Sequence, residues 1–286
     1  MGTFGVRAYA QWVNLDPRTA SVGNVVAAVH RRYPPDAAEA WDAVGLVCGD
    51  PQAEVRRILV AVDVVAATVE EAFSDAADLL ITHHPLLLHP VTSVAATTPA
   101  GALVQRLVSG GCALLAAHTN ADVAHNGVND ALAAALGVTG TAPLMPSPGD
   151  ASTGLGRIGT LTTPMTLRTF ADHVRGSLPA TAGGVRIAGA LDALVQRVAV
   201  IGGSGADALA AARAAGVDVV VTSDLKHHVT LDHLAAGGPP LLDVAHFASE
   251  WPWVPHVVAL LRADLGSYDL EIRGSTVVTD PWTGRA

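Results

Sequence analysis

Three groupings of imidazole and carboxylate stand at the ends of short apolar runs. They are His83-His84 in "DLLITHHPLLLHP", His118 with Asp122 in "ALLAAHTNAD", and His246 with Glu250 in "LLDVAHFASE". Imidazole and carboxylate without thiolate suit Zn, Mn, Fe or Co better than a cysteine-based structural zinc knot. If the three groupings converge, His83, His84, His118, Asp122, His246 and Glu250 supply enough ligands for two divalent metal ions per chain. Two such ions, roughly 3.5–4 Å apart, lower the pKa of a water held between them and clamp the group it attacks. Hydrolysis is the expected chemistry, with Glu250 as both ligand and catalytic carboxylate. Each grouping alone also has a plainer reading. For His83-His84 this is a strand-end pair bonded to backbone, and for the two His-x-x-x-carboxylate pairs a capped helix start with a surface carboxylate. Their recurrence favours metal.

The elements that must position these residues come as an internal repeat. "RRILVAVDVVAATVEEAFSDAADLLITHHP" from Arg56 aligns without a gap on "QRVAVIGGSGADALAAARAAGVDVVVTSDL" from Gln196. Each reads strand, helix, strand, and the strands are continuous aliphatic runs, as in parallel strands covered on both faces. Asp78 matches Asp218, Thr82 matches Thr222, and His83-His84 fall opposite Ser223-Asp224. Such self-similarity predicts an α/β fold of two similar lobes with mostly parallel sheets. Functional groups of such sheets gather beyond the carboxyl ends of the strands, so the metal site is expected in the crevice between the lobes. The expected division is an N-terminal extension over 1–20, a first lobe over 21–143, a turn-rich linker over 144–154 and a second lobe over 155–286. "TLRTFADHVRG" reads as a helix that Thr166 caps.

Two further motifs carry possible chemistry. The glycine-rich "IGGSGAD", Ile201 to Asp207, is either a tight turn or a turn whose amides face a phosphate, and it lacks the spacing of the known nucleotide loops. "TSDLKHH" places Thr222, Asp224, Lys226, His227 and His228 at another strand end. There Lys226 is the candidate for binding a substrate phosphate and His228 for proton transfer. Trp41 and Asp42, before the run "AVGLVCGD", most simply anchor the first lobe.

Composition excludes several classes. The net charge is −9, with a single lysine and no basic cluster, which argues against nucleic acid as an obligate partner. Hydrophobic residues make up 50% of the chain and mean hydropathy is +0.37. Yet no uninterrupted apolar run approaches the roughly 18–20 residues a bilayer span needs. No signal-peptide pattern opens the sequence, so a cytoplasmic location is expected. Cys48 and Cys112 are too few for a disulfide framework or a thiolate zinc site.

Taken in order, "PPDAAEAWDAVGLVCGD", "LLITHHPLLLHP", "AAHTNADVAHNGVNDALAAALG", "GRIGTL", "VAVIGGSGAD", "VVVTSDLKHH" and "DVAHFASE" resemble the Nif-three-like proteins, also labelled GTP cyclohydrolase 1 type 2 homologues. The resemblance spans about Pro34 to Trp251. It implies two α/β lobes, a dinuclear metal site between them, and a homohexamer. Carried over by motif, the ligands fall on His83, His84, Asp122, His246 and Glu250, with His118 either a ligand or a residue behind one. Ala43 stands where the family has Asn, and Ala245 where it usually has Gly, which affects pocket shape and removes no ligand. Longer relatives carry a mid-chain domain for which residues 140–154 leave no room. Hydrolytic attack on the guanine ring of GTP, or on another nucleotide or phosphoester, is the activity so implied. A non-catalytic metal-binding or scaffold protein is the alternative.

Overall fold

The computed structural model describes residues 18–286, so nearly all of the expected N-terminal extension lies outside the described residues. Two mixed α/β sheets carry the fold. The five-stranded sheet runs in the order Glu271–Gly274, Arg57–Ala61, Leu79–Thr82, Ala113–Ala116 and Gly45–Cys48. Its first four strands are parallel and the last is antiparallel. The alternate residues of "RILVA" explain why this run is continuously apolar. Ile58 and Val60 face the helices Val22–Arg32 and Trp253–Asp264, while Leu59 and Ala61 face Ala66–Ser74 and Pro99–Ser109. Both faces are dry from Ile58 to Ala61, so those four positions are apolar, and only Arg57 at the strand's start is exposed.

The six-stranded sheet runs in the order Val138–Ser147, Asp150–Thr166, Leu194–Ser204, Val219–Ser223, Leu241–Val244 and Arg186–Ala188. Its three aliphatic strands in the middle are parallel, and the other pairings are antiparallel. Val198, Val200, Val219 and Val221 pack against Leu167–Ser177, and Ala199, Ile201 and Val220 against Leu209–Ala215. Thr166 caps Leu167–Ser177 as expected, its hydroxyl accepting from the Thr169 amide at 3.2 Å. Among the described residues, no helix is long and apolar enough to cross a membrane.

Three expectations need correction. The sheets are mixed, because the second also contains a long antiparallel hairpin and an antiparallel edge strand. The supposed linker over 144–154 is the tip of that hairpin, paired from Val138↔Leu161 to Ser147↔Asp150. Its glycines and prolines mark register shifts and an edge strand, where a missing amide costs least. Residues 155–286 do not form one unit either. Glu271–Gly274 adds to the five-stranded sheet beside Arg57–Ala61, and Trp253, Val257 and Leu261 bury themselves in that sheet's core.

Candidate metal centre

Strand ends from both sheets bring the groupings together. The chain bends after Leu79–Thr82, and the Thr82 hydroxyl donates to the His84 carbonyl at 2.9 Å. A straight strand would splay consecutive side chains to opposite faces. Here the His83 and His84 ring centroids lie 5.0 Å apart. His118 follows Ala113–Ala116 and opens the short helix Thr119–Val123 that carries Asp122. Leu241–Val244 leads into the helix His246–Glu250, whose i, i+4 spacing sets His246 Nε2 3.0 Å from Glu250 Oε1.

All four rings are held from behind through Nδ1. His83 bonds the Ala117 carbonyl at 2.9 Å, His84 bonds Asp63 at 2.7 Å, His118 bonds Asp42 at 2.8 Å and His246 bonds Asp224 at 2.6 Å. That leaves Nε2 of His83, His84 and His246 turned to the carboxylates of Asp122 and Glu250. His83 Nε2 lies 3.6 Å from Asp122 Oδ1 and 3.5 Å from Glu250 Oε1, and His84 Nε2 lies 3.1 Å from Glu250 Oε2. Two groups of donor atoms each lie within 4.8 Å of one another: His83, His84 and His118, and His84, His246 and Glu250. They share His84.

This arrangement fits a cation. His83 Nε2, Asp122 Oδ1 and Glu250 Oε2 are buried and make no hydrogen bond among the described residues, Glu250 Oε2 lying off the bonding direction of His84. A buried polar atom without a partner carries a full desolvation cost, which ligation would remove. Outward anchoring of Nδ1 by carboxylate or carbonyl is how metal-binding imidazoles are oriented.

The electrostatics reflect crowding of like and unlike charge. Burial works against the charged form of His84, but Glu250 and Asp63 outweigh it and push the ring up to about 11. Burial opposes the charged form of His246 too, and Glu250 with Asp224 carries it to about 9. Burial raises Asp122 to about 6 against the pull of His83. Glu250 is held well below the usual carboxylate range, its desolvation outweighed by His84 and His83. His118 is lowered by burial and by its neighbour His83.

The glycine-rich turn resolves toward packing. Gly203 has φ +67°, and a Cβ there would sit 2.5 Å from Glu250 Oε1 and 3.1 Å from His246 Nε2. Its amide donates to Ser249 Oγ, and that of Gly202 to Asn129 Oδ1, both at 2.9 Å. Neither amide is free for a phosphate. Lys226 and His228 are exposed at the start of the helix His227–Ala235, and among the described residues neither side chain makes a hydrogen bond or ion pair. The structure does not bring them into the cluster.

Sequence reasoning missed Asp63 entirely and gave Asp42 only an anchoring part. Asp42 takes His118 Nδ1, the Thr119 amide at 3.0 Å and the Thr119 hydroxyl at 2.5 Å. The one available signal was that Asp63 directly follows an aliphatic run of the repeat, Ile58 to Val62.

Relatives with this sequence and fold are known. A Streptomyces coelicolor protein named GTP cyclohydrolase 1 type 2 homolog is 48% identical, the match covering 92% of this chain and 93% of the relative. A Mycobacterium bovis protein of the same name is 35% identical over 91% of this chain and 96% of its own. A Bacillus cereus protein related to NIF3 superposes with a TM-score of 0.85 at 26% identity, over 92% of this chain and 98% of that one. The Duf34/NIF3 (NGG1p interacting factor 3) pattern matches residues 20–281, and the chain belongs to that family.

Proposed function

We propose that His83, His84, His118, Asp122, His246 and Glu250 hold two divalent ions, of Zn, Fe, Mn or Co, in a crevice between two α/β lobes, and that the site hydrolyses a nucleotide or phosphoester. The observation that carries this reading is the pair of donor groups sharing His84, with every ring fixed through Nδ1. Bound there, the cations would supply Lewis acidity and an activated water. The protein's own residues do the rest. Glu250, ionised and buried, balances the positive charge, and Asp63, Asp42 and Asp224 fix the rings at one angle each. Lys226 meets a substrate phosphate from the exposed start of its helix, and His228 in the first turn moves a proton to the leaving group. The name carried by the relatives makes GTP the first substrate to try.

The same reading includes a homohexamer in the cytoplasm. Light scattering checks the assembly. Turnover of GTP and a generic phosphoester by the metal-loaded chain, absent in Glu250→Gln, is the test of activity. Two bound metals with no turnover on any nucleotide would leave a metal-binding protein without catalysis.

A further inference from the structure

Beside His246 opens a cavity of about 530 Å³, a volume in the range of small-molecule sites. Arg186, Asp224, Asp243, His246, Trp282 and Arg285 are among its walls. His246 is the most open of the four imidazoles, its side chain 34% exposed against 24%, 16% and 1% for His84, His118 and His83. The cavity therefore touches the candidate metal centre through His246, and it also takes in residues from Asp280 to Arg285.

The segment leading to the cavity is tied repeatedly. The Ser275 amide donates to the Val60 carbonyl at 2.7 Å and its hydroxyl to Glu71. The Val277 amide donates to Ser275 Oγ at 3.2 Å. Thr279 donates to Asp63, the same carboxylate that holds His84. Asp280, Pro281, Trp282, Gly284 and Arg285 line the cavity, with Trp282 left 73% exposed. An exposed tryptophan on a tail anchored at the metal centre has no packing explanation.

Two of the cavity's carboxylates are paired. Asp243 is paired with Arg186 and Asp224 with His246. Asp280 is not: its Oδ2 is buried without a hydrogen-bond partner and, among the described residues, it makes no ion pair, and the cation of the same segment is Arg285. Arg285 makes no ion pair with any described residue, and its guanidinium lies 3.7 Å from where a Gly184 Cβ would be. Residues 280–285 thus offer one uncovered aromatic face, and a guanidinium and a carboxylate that no ion pair engages, over the same cavity.

We propose that residues 279–286 form one wall of the ligand pocket, Trp282 stacking on a planar ring and Arg285 binding an anionic group. The ligand class is a planar heterocycle carrying phosphate. This rests on the reading of the cluster as a metal site that handles a nucleotide. Base-on-aromatic stacking and guanidinium–phosphate forks are the two contacts that combination calls for.

Calorimetric titration of the metal-loaded full chain with GMP, guanosine and inorganic phosphate tests it. GMP should bind more tightly than either fragment. Trp282→Ala should weaken GMP and guanosine about ten-fold and leave phosphate unchanged. Arg285→Ala should weaken GMP and phosphate and leave guanosine unchanged. Trp282→Phe should restore binding, which a purely structural role on an exposed residue would not require, and metal content should stay at the wild-type value throughout. Wild-type affinity for GMP in both alanine variants, or no GMP binding by the wild type, overturns the proposal. If the wild-type chain holds no metal, the reading of the cluster fails, and the same two variants in the metal-free chain still decide the pocket by GMP binding alone.

Discussion

The ends of strands Leu79–Thr82 and Val219–Ser223 occupy equivalent places in the two repeated segments and do opposite work. Their frames are the same. Asp78 accepts from the amides of Arg56 and Arg57, both at 2.8 Å, and Asp218 accepts from those of Gln196 and Arg197 at 2.9 and 2.7 Å. Thr82 and Thr222 each donate to a backbone carbonyl near the turn. Past that point the first strand delivers two imidazoles, His83 fully buried, while the second delivers Asp224 at φ +57°, which buttresses His246. The repeat preserves a way of ending a strand. What stands at the end is free to be a donor or the support of one, and a site with unlike halves results.

That contrast can be sharpened by pH. The His84 and His246 rings, raised above their ordinary 6.5 to about 11 and about 9, contribute stability to the metal-free chain below about pH 6.5. That contribution is lost as pH rises, through about 9 for His246 and then about 11 for His84. Metal ions must displace those same protons. Affinity should therefore climb with pH by about ten-fold per unit for each proton displaced. Competition titrations between pH 6 and 9 read the slope, and thermal unfolding should show the metal-free chain losing stability over the range where the loaded chain gains it.

Substitutions break the halves separately. Glu250→Gln keeps the shape and removes the charge that both halves use, so metal affinity should fall by at least about 100-fold, the upper end for residues that merely orient ligands. Asp63→Asn and Asp224→Asn release one supported ring each and should cost about 10–100-fold. Asp63, the less exposed of the two at 25% against 55%, should cost more. Equilibrium dialysis against a chelator measures all three. The smallest effects belong to the shared frame: Asp78→Ala and Asp218→Ala should each cost about 1–2 kcal/mol of stability, by denaturant titration, with metal affinity unchanged.

The parallel units were legible because strands buried on both faces leave short continuous aliphatic runs, here repeated with a helix between them. Val138–Ser147 was not. Only Val138 and Leu144 of its ten residues are buried, so it shows no apolar period to read, and its prolines suggest a loop. Nor was Glu271–Gly274, whose pairing with Arg57–Ala61 joins segments more than 200 residues apart and leaves no local trace. At the site, the residues with inward-facing donors stood out by type and repetition. Those behind them did not, since Asp63 and Asp42 earn their parts only through closeness to His84 and His118 across the fold.

The most direct measurement is metal content. Protein purified without chelator, stripped, and titrated with Zn, Mn, Fe or Co should take up two ions per chain, and Glu250→Gln, still folded by circular dichroism, should take up fewer at the same free metal concentration. A folded wild-type chain that rebinds none would contradict the account and return His83 and His84 to a strand-end pair satisfied by its neighbours.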